Sequence, residues 1–172
     1  MRILITSPDL KDPGGVASYY NSILPYLYED KDINITIFEI GSSDAKFSLL
    51  HPVLDQLRFI KIILFKKFDI IHINPSLNFK SFIRDGLFIF WAKRKSLPVI
   101  IFIHGWKDSF YDKISGLLTF FFNKTYKKAD RFIVLASDFK SKLISKDITQ
   151  PIHILTTSVD NSLVRNFSIE NK

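Results

Sequence analysis

Two short stretches hold residue types able to do chemistry. Gly14-Gly15-Val16 stands where a β-rich opening run, Arg2 to Ser7, passes through a loop at Pro8 to Pro13 into the start of a helix. A glycine pair at such a junction lets main-chain N–H groups approach a ligand with no side chain between them. The helix N-terminus adds about half a positive charge at the same point. Phosphate or diphosphate is the group that suits this arrangement. The second stretch, His104-Gly105-Trp106, follows the most apolar run of the chain, Val99–Ile103. An imidazole there can hydrogen-bond a hydroxyl or meet a developing charge, and Gly105 lets a ligand come near.

The other three histidines read as structural. His72 lies within a buried run and is expected to be a satisfied core residue. His51 precedes Pro52 at a helix start, and His153 falls within the last strand. No metal-ligand spacing links the four histidines to one another or to acids. With no cysteine, a disulfide, a thiolate zinc site and a cysteine nucleophile are all excluded. Asp9 and Asp12 are accounted for by turn chemistry. The Gly-x-Ser-x-Gly elbow and the Gly-x4-Gly-Lys-Ser/Thr loop are absent, and Gly14-Gly15 lacks the third glycine of a dinucleotide fingerprint. Hydrolase, nucleoside triphosphatase and dehydrogenase readings lose their main support.

Elements that alternate along the chain must position these residues. Strands are predicted at Arg2–Ser7, Ile33–Ile40, Asp69–Ile73, Val99–Ile103, Arg131–Leu135 and Ile152–Leu155. Between them, Leu50 to Leu64, Phe79 to Trp91 and Tyr111 to Phe122 recur at helical spacing, the last stripe ending near Lys127-Lys128. Ser137 is the expected N-cap of a further short helix. The pattern predicts an α/β fold: a Rossmann-like, doubly wound parallel sheet with helices on both faces. Ligands of such sheets sit beyond the carboxyl ends of the strands, which singles out Pro8 to Gly15, Asn74 to Asn78, His104 to Asp108, Ala136 to Asp138 and Thr156 to Asp160. The chain reads as one domain over 1–160, with 161–172 as a frayed tail or the start of a crossover.

A net charge of +7 favours an anionic partner. Most of the basic residues sit in small groups at expected helix ends, where they complement the helix dipole; the remainder would hold the domain against anionic lipid headgroups. Aromatic residues follow core spacing instead of interleaving with the basic ones, so nucleic acid is not an expected partner. The first residues run straight into a strand, and no secretory leader is expected. The longest apolar runs, Leu87–Ala92 and Leu117–Phe122, fall far short of the roughly 20 residues that span a bilayer. A cytoplasmic protein, either soluble or peripheral to the inner face of the membrane, is the expectation.

Taken in order, these landmarks resemble the N-terminal half of a GT-B fold glycosyltransferase of family 4. The resemblance rests on Gly14-Gly15-Val16 after the opening strand, Asp69 to Asn74 (DIIHIN), Val99 to Gly105 (VIIFIHG), Ala129 to Ser137 (ADRFIVLAS), and Thr157-Ser158-Val159-Asp160 where Asn-Gly-Val-Asp is usual. It implies a retaining transfer of a sugar, a hexose in most such enzymes, from a nucleotide-sugar donor to a hydroxyl of a glycan or lipid-linked acceptor, as in polysaccharide synthesis, with no cofactor and usually no metal ion. Carried over, Gly14, Gly15 and Val16 would meet the donor diphosphate and His104 would act at the transferred sugar. Asn74, Ser76, Asn78, Gly105 and Trp106 would line the acceptor side.

The family's second domain supplies most of the nucleotide grip and a Glu-x7-Glu motif. Glu29, Glu39 and Glu170 have no such spacing. The chain is therefore expected to be inactive, or nearly so, without a second domain. Two rival readings stand beside this one: a non-catalytic acceptor-binding or membrane-docking module that partners a separate chain, and an unrelated nucleotide-binding enzyme. Trp106, Phe110 and Tyr111 are expected to form a sticky patch that mediates self-association or lipid contact.

Overall fold

A computed structural model describes residues 1–41, 51–75, 78–105 and 108–156. Six strands form one sheet: β1 (Arg2–Ser7), β2 (Asn34–Glu39), β3 (Ile70–Ile73), β4 (Val99–Ile103), β5 (Arg131–Val134) and β6 (Ile152–Ile154). Their order is β2-β1-β3-β4-β5-β6 and every pairing is parallel. Continuous apolar runs such as VIIFI fold this way because a parallel sheet is covered on both faces. The expected α/β, Rossmann-like architecture is what forms, and strand limits differ from the predicted ones by no more than one residue.

Helices α1 (Gly15–Glu29), α2 (His51–Phe65) and α3 (Phe79–Arg94) follow β1, β2 and the loop after β3. The larger core cluster joins residues of α2, α3 and later helices to Leu4, Ile71 and Ile73. Ile5, Tyr20 and Leu24 form a separate cluster under α1. Neighbouring residues of β1 thus point to opposite faces, with period two. Aromatic rings fill the first cluster: Phe59 packs on Phe38 and Phe88, and Phe82 stacks on Tyr126 at 4.9 Å. Within α3, Gly86 admits the Phe121 ring, whose Cε1 would lie 2.4 Å from any Cβ added there.

The stripe from Tyr111 to Phe122 is not one helix. It divides into α4 (Asp108–Tyr111) and α5 (Leu117–Lys124), followed by a 3-10 turn at Tyr126–Lys128. Gly116 makes the break with φ of 53°, a left-handed conformation that a helix interior cannot hold. Ile114 and Phe122 still reach the core, so the periodicity reported burial correctly and continuity wrongly. Helix α6 (Ser137–Ser145) is capped at Ala136; Ser137 is its first helical residue and gives no cap bond.

The expected patch at residues 106–111 does not form where it can be followed. Phe110 is buried beside Phe82, and the Tyr111 hydroxyl donates to the Lys142 carbonyl at 3.0 Å. Trp106 lies outside the described residues, as do 157–172. Among the described residues, no helix is long and apolar enough to cross a membrane. The sheet's two edges differ: β2 is six residues long, whereas β6 has three and follows Pro151.

Candidate functional site

The chain leaves β1 towards β2 on one side and later returns to place β3 on the other. Crossovers on the two sides take opposite faces, so a crevice opens between the carboxyl ends of β1 and β3. Asn74, the first residue past β3, lies at its base and is 4% exposed. Its backbone N–H donates to Thr6 Oγ1 at 3.2 Å and its Nδ2 to the Thr6 carbonyl at 2.7 Å. That second bond fixes the amide orientation, because a carbonyl can only accept. Oδ1 therefore takes two donors, the Tyr20 hydroxyl at 2.9 Å and His104 Nε2 at 3.0 Å.

The tautomer of His104 follows. Nε2 carries the proton, leaving Nδ1 with a lone pair. Burial pulls the imidazole from its ordinary 6.5 down to about 4, so it is neutral at physiological pH. Its ring lies 3.8 Å from that of Phe102, with Tyr19 at 5.2 Å and Tyr20 at 6.2 Å. Burial likewise drives the Tyr20 phenol well above its usual range and keeps it a donor. Tyr19 and Tyr20 stand one turn past the start of α1. They bring the Gly14–Gly15 opening and His104 to the same end of the sheet.

Gly14 is the N-cap of α1, extended and without a side-chain cap bond, and Gly15 is its first residue. Among the described residues, a Cβ at either would meet nothing within 4 Å. Neither packing nor dihedral strain requires glycine at these two positions, and the first amides of α1 have no intrahelical acceptor. Gly105 is similarly open. Asn78 is exposed and its side chain is committed to the N-cap of α3, accepting from Ser81 N at 3.1 Å. Ser76 and Trp106 lie outside the described residues. The Asn74 side chain is tied to Thr6, Tyr20 and His104, and those bonds position the imidazole and the phenol.

His72, expected to be satisfied, is not. Its ring is lodged between Tyr20 and Phe102, and among the described residues Nε2 has no hydrogen-bond partner. Burial, with His104 nearby, lowers it to about 4. It stays neutral, and that state tolerates the missing partner. His153 is exposed on the edge strand and His51 opens α2.

Two site residues, Ser81 and Arg84, escaped the sequence reading. A cleft of about 210 Å³ is lined by Pro8, Val16, Ile40, Asn74, Ser81 and Arg84, at the β1/β3 switch point. Arg84 is held by both oxygens of fully buried Asp85, at 2.7 and 3.1 Å. Burial pushes the Asp85 carboxyl up against the pull of that guanidinium. Arg84 lines the cleft, and among the described residues its Nη1 has no hydrogen-bond partner. The available signal was Arg84-Asp85 itself, two adjacent charges inside the otherwise apolar FIRDGLFIFW.

Among the described residues, no group of three or more His, Asp or Glu is placed to hold a metal ion. The family model described as Glycosyltransferase Family 4 matches residues 14–163. A search of curated proteins finds no match.

Proposed function

Because the chain belongs to glycosyltransferase family 4, we propose that it forms the acceptor-side wall of a sugar-transfer cleft. In this reading the bond from the donor's anomeric carbon to the diphosphate oxygen breaks and an acceptor hydroxyl oxygen bonds to that carbon. The hydroxyl proton leaves with the diphosphate. The main-chain amides at Gly14, Gly15 and Val16 receive diphosphate oxygens. His104, neutral and with Nε2–H spent on Asn74, offers Nδ1 as acceptor for a hydroxyl of the transferred sugar. Asn74 is a positioning residue. Arg84 and Ser81 take polar groups of the acceptor, together with Ser76, Gly105 and Trp106, while Asn78 holds Ser81 in place from the N-cap of α3.

The observation that carries this reading is the bond from His104 Nε2 to Asn74, one aromatic layer from the bare start of α1. Transfer needs both walls of the cleft, to exclude water and to align donor with acceptor. The chain alone is accordingly expected to turn over little or no donor.

The test is transfer from UDP- and GDP-sugars to a hydroxyl acceptor, with and without a supplied second domain. Turnover only with that domain, reduced at least a hundredfold by His104→Ala, supports the proposal. Undiminished turnover in His104→Ala refutes it. Acceptor binding with no nucleotide-sugar binding under either condition would instead favour the non-catalytic module.

A further inference from the structure

Helix α2 buries Asp55, Phe59 and Ile63, spaced four residues apart on one face. The opposite face of a surface helix is ordinarily polar. Here it displays Val53, Leu57 and Leu64 at 57%, 59% and 54% exposure, flanked by Leu54 and by Phe65 at 82%. Its one acid, Asp55, faces inward, accepting from the Gly41 N–H and paired with Arg58. The exposed charges of this segment are all positive: Arg58, Lys61, Lys66 and Lys67. The three lysines make no ion pair among the described residues. Beside them a groove of about 560 Å³ runs between α2 and β2, with Ile37, Phe38 and Ile62 in its lining and Glu39 as its one acid.

We propose that the outer face of α2 seats this domain on an anionic phospholipid bilayer, leucines and Phe65 entering the headgroup–acyl boundary and the lysines reaching lipid phosphates. Apolar area and positive charge on one helix face are the two contributions that interfacial helices combine. Long lysine side chains can lay their methylenes along the apolar surface and keep the ammonium group at headgroup depth. A second copy of the chain is a poorer occupant, because a two-fold contact would set this cationic face against itself. The inference does not depend on the sugar-transfer reading.

The test is co-sedimentation of the 172-residue chain with vesicles of phosphatidylcholine alone, or of phosphatidylcholine mixed with phosphatidylglycerol. Binding is expected to the mixed vesicles, at least tenfold weaker to phosphatidylcholine alone, and to weaken with salt. The exposed triple substitution Leu57→Gln, Leu64→Gln, Phe65→Gln should cost at least tenfold. Lys61→Gln should cost about fivefold. In parallel, Phe65→Trp, which keeps the apolar face, should add an indole emission that shifts to the blue when mixed vesicles are present. Three results each overturn the proposal: no vesicle binding, binding that the triple substitution leaves unchanged, and an added indole emission in Phe65→Trp that vesicles do not move. Sedimentation showing a dimer that the triple substitution dissociates, with no vesicle binding, assigns the face to a second copy.

Discussion

The two ends of the sheet solve the same problem, unsatisfied strand-end groups, with opposite chemistry. At the amino end the solution is ionic and wet. Asp69 accepts from the Arg2 N–H at 2.6 Å and pairs with its guanidinium, and Asp130 accepts from the Val99 N–H at 2.7 Å while pairing with Lys93. At the carboxyl end the solution is neutral and dry, with Thr6, Tyr20, Asn74 and His104 sharing one network. Water screens charge cheaply at the first end. At the second, an unpaired ion would carry the full cost of desolvation, so dipoles and an uncharged imidazole meet the strand ends, and a buried carboxylate beside them, Asp85, is held by both its oxygens to Arg84. Asp69 and Asp130 both belong to segments that carried the family resemblance, yet they sit at the end away from the crevice. A recurring residue can be a strand clamp and have no part in the chemistry.

If this contrast is right, damage at the dry end should cost most. Asn74→Leu would strand the Tyr20 hydroxyl, the His104 Nε2–H and the Thr6 carbonyl. A loss of about 3 kcal/mol in urea unfolding, at unchanged m-value, is expected.

Next comes pH. Folding holds His72 and His104 near 4, whereas the unfolded chain takes up protons near 6.5. Stability should therefore fall as pH drops from about 6.5 to about 4, then level off. Asp85 acts in the opposite sense over part of that window, because burial raises its carboxyl. The double variant His72→Phe, His104→Phe should flatten the decline in urea midpoint, and an unchanged slope would remove the histidines from the account.

At the wet end, Asp130→Ala should cost about 1 kcal/mol through the Val99 N–H it leaves without its acceptor, read in the same unfolding assay. Arg2→Gln should have the smallest effect of all, leaving the thermal midpoint where it was at physiological salt, since the Asp69 bond to the backbone survives. A larger loss from Arg2→Gln than from Asn74→Leu would invert the comparison.

The same contrast explains what the sequence made legible. Strands could be read because burial on both faces leaves continuous apolar runs, and the crevice because parallel strands put their carboxyl ends together. The role of Asn74 could not be read: its partners at Thr6, Tyr20 and His104 are 68, 54 and 30 residues away. Only the register of β1 beside β3 and the fall of α1 across them bring these groups together. Sequence spacing also gave no sign that His72 would lack a partner. The break at Gly116 was hidden because Ile114 before it and Phe122 after it both still reach the core. Helix α2 was recognised by its periodicity, but most of the stripe that announced it, Val53, Leu54, Leu57 and Leu64, faces outward, and the buried face is made by Asp55, Phe59 and Ile63.

Finally, the unequal margins of the sheet bear on how this chain would aggregate. Three residues behind a proline offer an incoming strand little to bond, which blunts the β6 side. Among the described residues, β2 leaves a six-residue edge, alternate residues of which turn their amides and carbonyls outward, beside the apolar flank of α2. Runaway strand addition would begin there, and whatever occupies that flank in the cell would also stand guard over the margin.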